Sequence, residues 1–194
     1  MEYCCLVAEK PRLFQNSRDM ILSLGVIVLL MVGSVAFTGM CSFEPGRPEN
    51  GPVREVDAAT FLSMEARSAD FPVVNPDVPE GWVANSARRS TVDSRPAPVI
   101  GYVTDNGGFL QLTQTGVSAE DTATGIDSAF RERTDSVDID GHVAQVYTSE
   151  DPQVRDVWVV DTGDVRLAVS GAAEREEFVE LFQAALRVEP LPRG

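Results

Sequence analysis

"PVIGYVTDNGGFLQLTQT", residues Pro98 to Thr115, decides the fold. On both sides of Asp105-Asn106-Gly107-Gly108 the residues alternate with period two, the spacing of a strand with two unlike faces. The Asp-Asn-Gly-Gly run supplies residues that accept a left-handed backbone, as a tight turn demands. The stretch reads as a β-hairpin.

Working outward, "WVANSARRSTV" (Trp82–Val92) has the pattern of a preceding strand. "DSVDI" and "HVAQVYT" flank Asp140-Gly141, and "VRDVWVVD" and "VRLAVS" flank Thr162-Gly163-Asp164, giving two further hairpins. In the last strand Val165, Leu167 and Val169 alternate with Arg166, Ala168 and Ser170, which predicts one buried face and one wetter one.

Helical signals lie between and around these hairpins. Asp57 is placed to N-cap "AATFLSMEARSA", with Phe61 and Leu62 docking. Ser118, with Asp121 three residues on, opens a second helix whose Ala119, Ala123, Ile126 and Phe130 share one face. The third runs from about Ala173 to Arg187, with Glu174, Glu176 and Glu177 at the positive end of its dipole. Phe178, Val179, Leu181, Phe182, Ala185 and Leu186 form its apolar stripe. "FPVVNPDVPEGW" (Phe71–Trp82) is a proline-punctuated extended run. The expected class is α+β: an antiparallel sheet domain with two or three packed helices.

A different signal precedes this domain. Met20 to Cys41 is 22 residues without a charge; as a helix it would span about 33 Å, slightly more than a bilayer's hydrocarbon core. A secretory signal has a shorter apolar core and a small-x-small cleavage site. A lipidated Cys41 would follow directly on the bulky Met40. The segment therefore reads as an uncleaved transmembrane helix. Lys10, Arg12 and Arg18 before it outnumber Arg47 and Arg54 after it, which points to a cytoplasmic N-terminus. The expected organisation is a short cytoplasmic tail (1–19), the transmembrane helix (20–41), a disordered spacer rich in proline and glycine (42–55) and an extracytoplasmic α+β domain (56–194), with the protein in the plasma membrane as a single-pass chain.

Composition narrows the partners. The 30 acidic residues outnumber 16 basic ones, and the first 43 residues hold three of each, so the net −14 belongs to the rest: 27 acids minus 13 arginines. Such a surface repels phosphate backbones and anionic headgroups, which argues against nucleic acid as a partner. Cys4, Cys5 and Cys41 all precede the domain, which therefore has no disulfide and no thiolate metal site.

"PEGW" (Pro79–Trp82), "GYVTDNGGFLQLTQ" (Gly101–Gln114), "DGHVAQVY" (Asp140–Tyr147) and "VSG" (Val169–Gly171) before an amphipathic helix together resemble a family. It is the actinobacterial family catalogued as domain of unknown function 4245, and the resemblance runs from Lys10 to about Leu186. It implies a membrane-anchored protein with a short basic tail. It assigns no catalytic residue, so none is carried over.

Candidate chemistry is sparse. His142, the single histidine, follows a hairpin turn with no nucleophile-elbow sequence in the chain, and reads as a solvent-facing strand residue. Asp135, Asp138 and Asp140 lack EF-hand spacing. Glu174, Glu176, Glu177 and Glu180 read as a wet helix face. No metal or cofactor motif is present, and neither is expected. Arg88 and Arg89 with Arg95 form the one basic cluster, and Trp82 after Glu-Gly is placed either in the core or at a pocket rim. These four residues are the candidate ligand or partner surface. The expected function is a binding or interaction module of the cell envelope rather than an enzyme, its partner an envelope protein or a small molecule. The alternative is an exported hydrolase using scattered carboxylates.

Overall fold

The computed structural model of the chain describes residues 17–37 and 54–193. They fall into two units, one containing the first helix and one containing everything from residue 54 on.

The first unit contributes α1 (Ser17–Phe37), 21 residues long. It begins three residues before the expected span, and Thr38–Cys41 lie outside the described residues, as do the tail to residue 16 and the spacer to residue 53. Its described side chains, Met20 to Ser34, are exposed on every side. Among the described residues, no helix is long and apolar enough to cross a membrane. The transmembrane span expected over Met20–Cys41 is thus not a feature of the described fold.

The second unit is α+β, as its alternating patterns predict. Its elements are α2 (Ala58–Ala66), β1 (Val83–Val92), β2 (Arg95–Val103), β3 (Phe109–Thr115), α3 (Ala119–Gly125), β4 (Glu132–Ile139), β5 (His142–Thr148), β6 (Val157–Asp161), β7 (Arg166–Ala172) and α4 (Arg175–Leu186). The strands make one sheet in the order β1-β2-β3-β7-β6-β5-β4. Every neighbouring pair is antiparallel. Two meanders, β1-β2-β3 and β4-β5-β6-β7, are joined at a single seam, β3 against β7. The α3 connection carries the chain from the middle of the sheet to its far edge.

The three expected hairpins are all present. A fourth turn, Asp93-Ser94, joins β1 to β2 with φ of 47° and 63°, a primed turn made without glycine. It starts β2 at Arg95, three residues before the expected strand.

One face of the sheet carries Ile100, Tyr102, Leu110, Leu112, Trp158, Val160, Leu167 and Val169, and packs into one core with α2 and α4. On the other face, Val157, Val159 and Ala168 pack with Ala123 of α3. Ala168, expected on a wetter face, is therefore fully buried. The extended run Phe71–Val74 is tied down by Gln114, whose amide donates to Val74 O (2.7 Å) and accepts from Val74 N–H (2.8 Å), imitating a strand ladder.

Two further expectations are corrected. Phe130 is not on α3, which ends at Gly125, and its ring is 73% exposed. Glu177 is not on a wet face. It is 4% exposed, and its Oε2 accepts the Glu174 backbone N–H at 2.7 Å, closing the first turn of α4 from the inside.

Candidate functional site

The arginines do not form a patch. Successive residues on a strand point to opposite faces, so Arg88 and Arg89 part company. Arg89 reaches α2, where its Nε and Nη2 donate to Glu65 Oε2 (2.8 Å) and Oε1 (2.7 Å) in a bidentate pair. Arg88 Nη2 donates to Gln111 Oε1 at 3.0 Å. Arg95 Nη1 stands 3.8 Å from Asp70 Oδ2. Each guanidinium already has an intramolecular partner.

The aspartates near β4 pin α4 to the sheet. Asp140 accepts from Arg187 Nη2 (2.8 Å) and Gln183 Nε2 (2.9 Å), and Asp135 accepts from Arg175 Nη2 (3.1 Å). Arg187, and then Gln183, hold the Asp140 carboxyl below the usual carboxylate range. The Ser136 backbone N–H, and then Arg175, do the same for Asp135. Among the described residues no group of three or more His, Cys, Asp or Glu is placed to hold a metal ion. His142 is exposed.

Trp82 is the member of the predicted set that lines a cavity. The Pro79–Trp82 turn closes with Trp82 N–H on Pro79 O (3.2 Å), and Gly81 at φ 90° takes a conformation other residues adopt only with strain. The turn drops the indole to 8% exposure, where it forms part of a cleft of about 500 Å³. Its lining is Trp82 with Ala84 and Tyr102 of the β1–β2 pair, Glu55–Ala59 at the start of α2, and the run through Asn75, Pro76 and Val78. Val56 N–H donates to Ala84 O at 2.8 Å, so the segment before α2 is fastened to the sheet edge. Asp57 accepts Thr60 N–H at 2.8 Å as the predicted N-cap. Hydrogen bonds from the Thr60 side chain and then its backbone hold the Asp57 carboxyl below its ordinary range, so it is a carboxylate at neutral pH.

Tyr102 is the residue that sequence reasoning left without a role. It is 2% exposed, and its hydroxyl is buried with no hydrogen-bond partner among the described residues. That burial raises its pKa above the ordinary phenol value. Period-two alternation places Tyr102 on the core face of β2, but nothing in the sequence tells a satisfied hydroxyl from an orphan one.

A second tryptophan gives the contrast. Trp158 packs against Phe178 with ring centroids 5.1 Å apart, and the Arg175 guanidinium lies 4.9 Å above its ring. That aromatic already holds a cation of its own chain.

The family described as "Protein of unknown function (DUF4245)" matches residues 12–185. The chain belongs to that family. No curated protein and no solved structure matches it. Of the four stretches that carry the resemblance, Asp140–Tyr147 begins at the opposite end of the sheet, and the other three meet in space: Gly81 of "PEGW" abuts Asp105 of the β2–β3 turn, Gly108 of that turn abuts Glu177 of α4, and Gly171 of "VSG" abuts the Phe109–Leu110 backbone. They build one end of the sheet, beside the Trp82 cleft.

Proposed function

We propose that this chain is a membrane-tethered binding module of the cell envelope, acting by recognition rather than catalysis, whose domain takes a ligand in the Trp82–Tyr102 cleft. The observation that carries the reading is the cleft itself. Its volume lies within the roughly 300–1,000 Å³ of small-molecule sites, and Tyr102, which lines it, has a buried hydroxyl with no partner among the described residues.

The tether rests on the uncharged run Met20–Cys41 and on the apolar exposure of α1. Even its serines suit lipid: Ser23 Oγ donates to Met20 O (3.0 Å) and Ser34 Oγ to Met31 O (2.9 Å), folding both hydroxyls back onto the helix. The basic residues before α1 support a cytoplasmic N-terminus and an extracytoplasmic domain.

The full-length chain is expected to stay in membranes washed with alkaline carbonate, and a reporter fused after Gly194 to be active only outside. Screening small molecules against the full-length chain should yield compounds that perturb Trp82 fluorescence and raise the melting temperature. Release of the chain by carbonate would end the tether. A screen without a single cleft binder would end the module.

A further inference from the structure

We propose that the Trp82–Tyr102 cleft takes a small organic cation carrying a hydrogen-bond acceptor, of the amino-alcohol class. The inference rests on the binding-module reading and names its ligand chemistry.

Charge comes first. Glu55 and Asp57 line the cleft, and among the described residues no lysine, arginine or histidine does. Both carboxylates belong to a domain with twice as many acids as bases, so the field at the opening attracts cations and repels anions. The Glu65 and Asp140 carboxylates are already bound to arginines, whereas Asp57 is held by Thr60 at the start of its own helix and has no ion-pair partner among the described residues.

The aromatic lining adds a second determinant. The faces of tryptophan and tyrosine attract ammonium groups, most strongly where water is excluded. At Trp158 the fold supplies that cation itself, through Arg175. Among the described residues none lies over Trp82. The cleft therefore has aromatic residues and carboxylates in one lining and, among the described residues, lacks the cation that the other tryptophan already has.

The third determinant is the Tyr102 hydroxyl. A buried donor without a partner destabilises the fold. A ligand hydroxyl or carbonyl that reaches it removes that cost only in the complex, which selects for a cation bearing an acceptor over a bare one.

Choline is the probe, and 3,3-dimethyl-1-butanol, which has the same shape without the charge, is its control. Both are titrated into full-length protein in a maltoside detergent, using the Trp158→Phe variant so that Trp82 is the sole tryptophan reporter. Choline is expected to bind at least about tenfold more tightly than the neutral isostere. Glu55→Gln with Asp57→Asn, in which the asparagine keeps the N-cap, should abolish that preference without lowering the melting temperature. Tyr102→Phe should raise the melting temperature by about 3 °C while weakening choline. Equal binding of the two probes, or unchanged choline affinity in the Glu55→Gln/Asp57→Asn chain, overturns the proposal. A cleft that instead binds neutral or anionic compounds from the screen overturns the cation and leaves the binding module standing. A cleft that binds nothing overturns both.

Discussion

Gly171→Ala is expected to destabilise the domain by about 3–4 kcal/mol, a large part of the roughly 5–15 kcal/mol that holds a domain folded. Gly171 lies in β7 opposite Leu110 of β3, on the seam between the two meanders. A Cβ there would collide with the Phe109 carbonyl oxygen and stand 2.9 Å from Leu110 Cα and 3.0 Å from Phe109 C. These obstacles are backbone, so no rotamer change clears them, and moving either strand opens the one pairing that makes a single sheet. Gly163 is the control. Its φ of 93° strains an alanine, yet a Cβ there meets nothing within 4 Å, so Gly163→Ala should cost only about 1 kcal/mol. Urea midpoints of the two variants compare these costs directly. A Gly171→Ala chain as stable as Gly163→Ala would mean that the seam yields more easily than its geometry indicates.

That seam also marks where sequence reading reaches its limit. Hairpins are local: Asp105–Gly108 and Asp140-Gly141 advertise their turns because positive φ requires particular residues. Asp93-Ser94 makes the same kind of turn with residues that carry a weaker signal, so the start of β2 at Arg95 was not legible. The pairing of β3 with β7, more than fifty residues apart, leaves no mark in either strand. Phe130 continues the spacing of α3, but the chain leaves the helix after Gly125 so that Arg131 can turn beneath it. Glu177 looks like its solvated neighbours Glu174, Glu176 and Glu180 and differs only in pointing back at its own helix's first turn. At the candidate site, Trp82 reads from its sequence as a residue of the core or of a pocket rim, and the structure buries it in the lining of the cleft. Arg88 and Arg89 misled because neighbours in sequence are not neighbours on a strand's face. Tyr102 was invisible as a site residue, since a hydroxyl lacks a partner only through what surrounds it.

The Asp127–Arg131 pair carries the other large expected effect, and its two ends should not be equivalent. The Arg131 side chain is 1% exposed and that of Asp127 is 45% exposed. Arg131 Nη2 and Nη1 donate to Asp127 Oδ2 (2.6 Å) and Oδ1 (2.7 Å), Nη1 also to Ala123 O (3.0 Å), and Nε to Arg155 O (2.8 Å). The guanidinium thereby ties the end of α3 to the loop before β6. Asp127→Ala leaves a buried charge without its counterion and should cost about 3–5 kcal/mol. Arg131→Met leaves a carboxylate that water can reach and the carbonyls of Ala123, Ala129 and Arg155 short of a donor, so about 1–3 kcal/mol is expected. Acid should bring the Asp127→Ala chain closer to the parent. Arg131's hydrogen bonds hold the folded Asp127 pKa below its ordinary value. Its stabilisation is therefore complete above the unfolded pKa of about 4 and is lost as pH falls through the lower folded value. Urea midpoints at pH 7 and near pH 2 should show the gap between Asp127→Ala and the parent narrowing in acid. If Arg131→Met proved the more damaging change, or the gap held constant into acid, the bonds to the backbone carbonyls would outweigh the ion pair in holding α3 to the sheet.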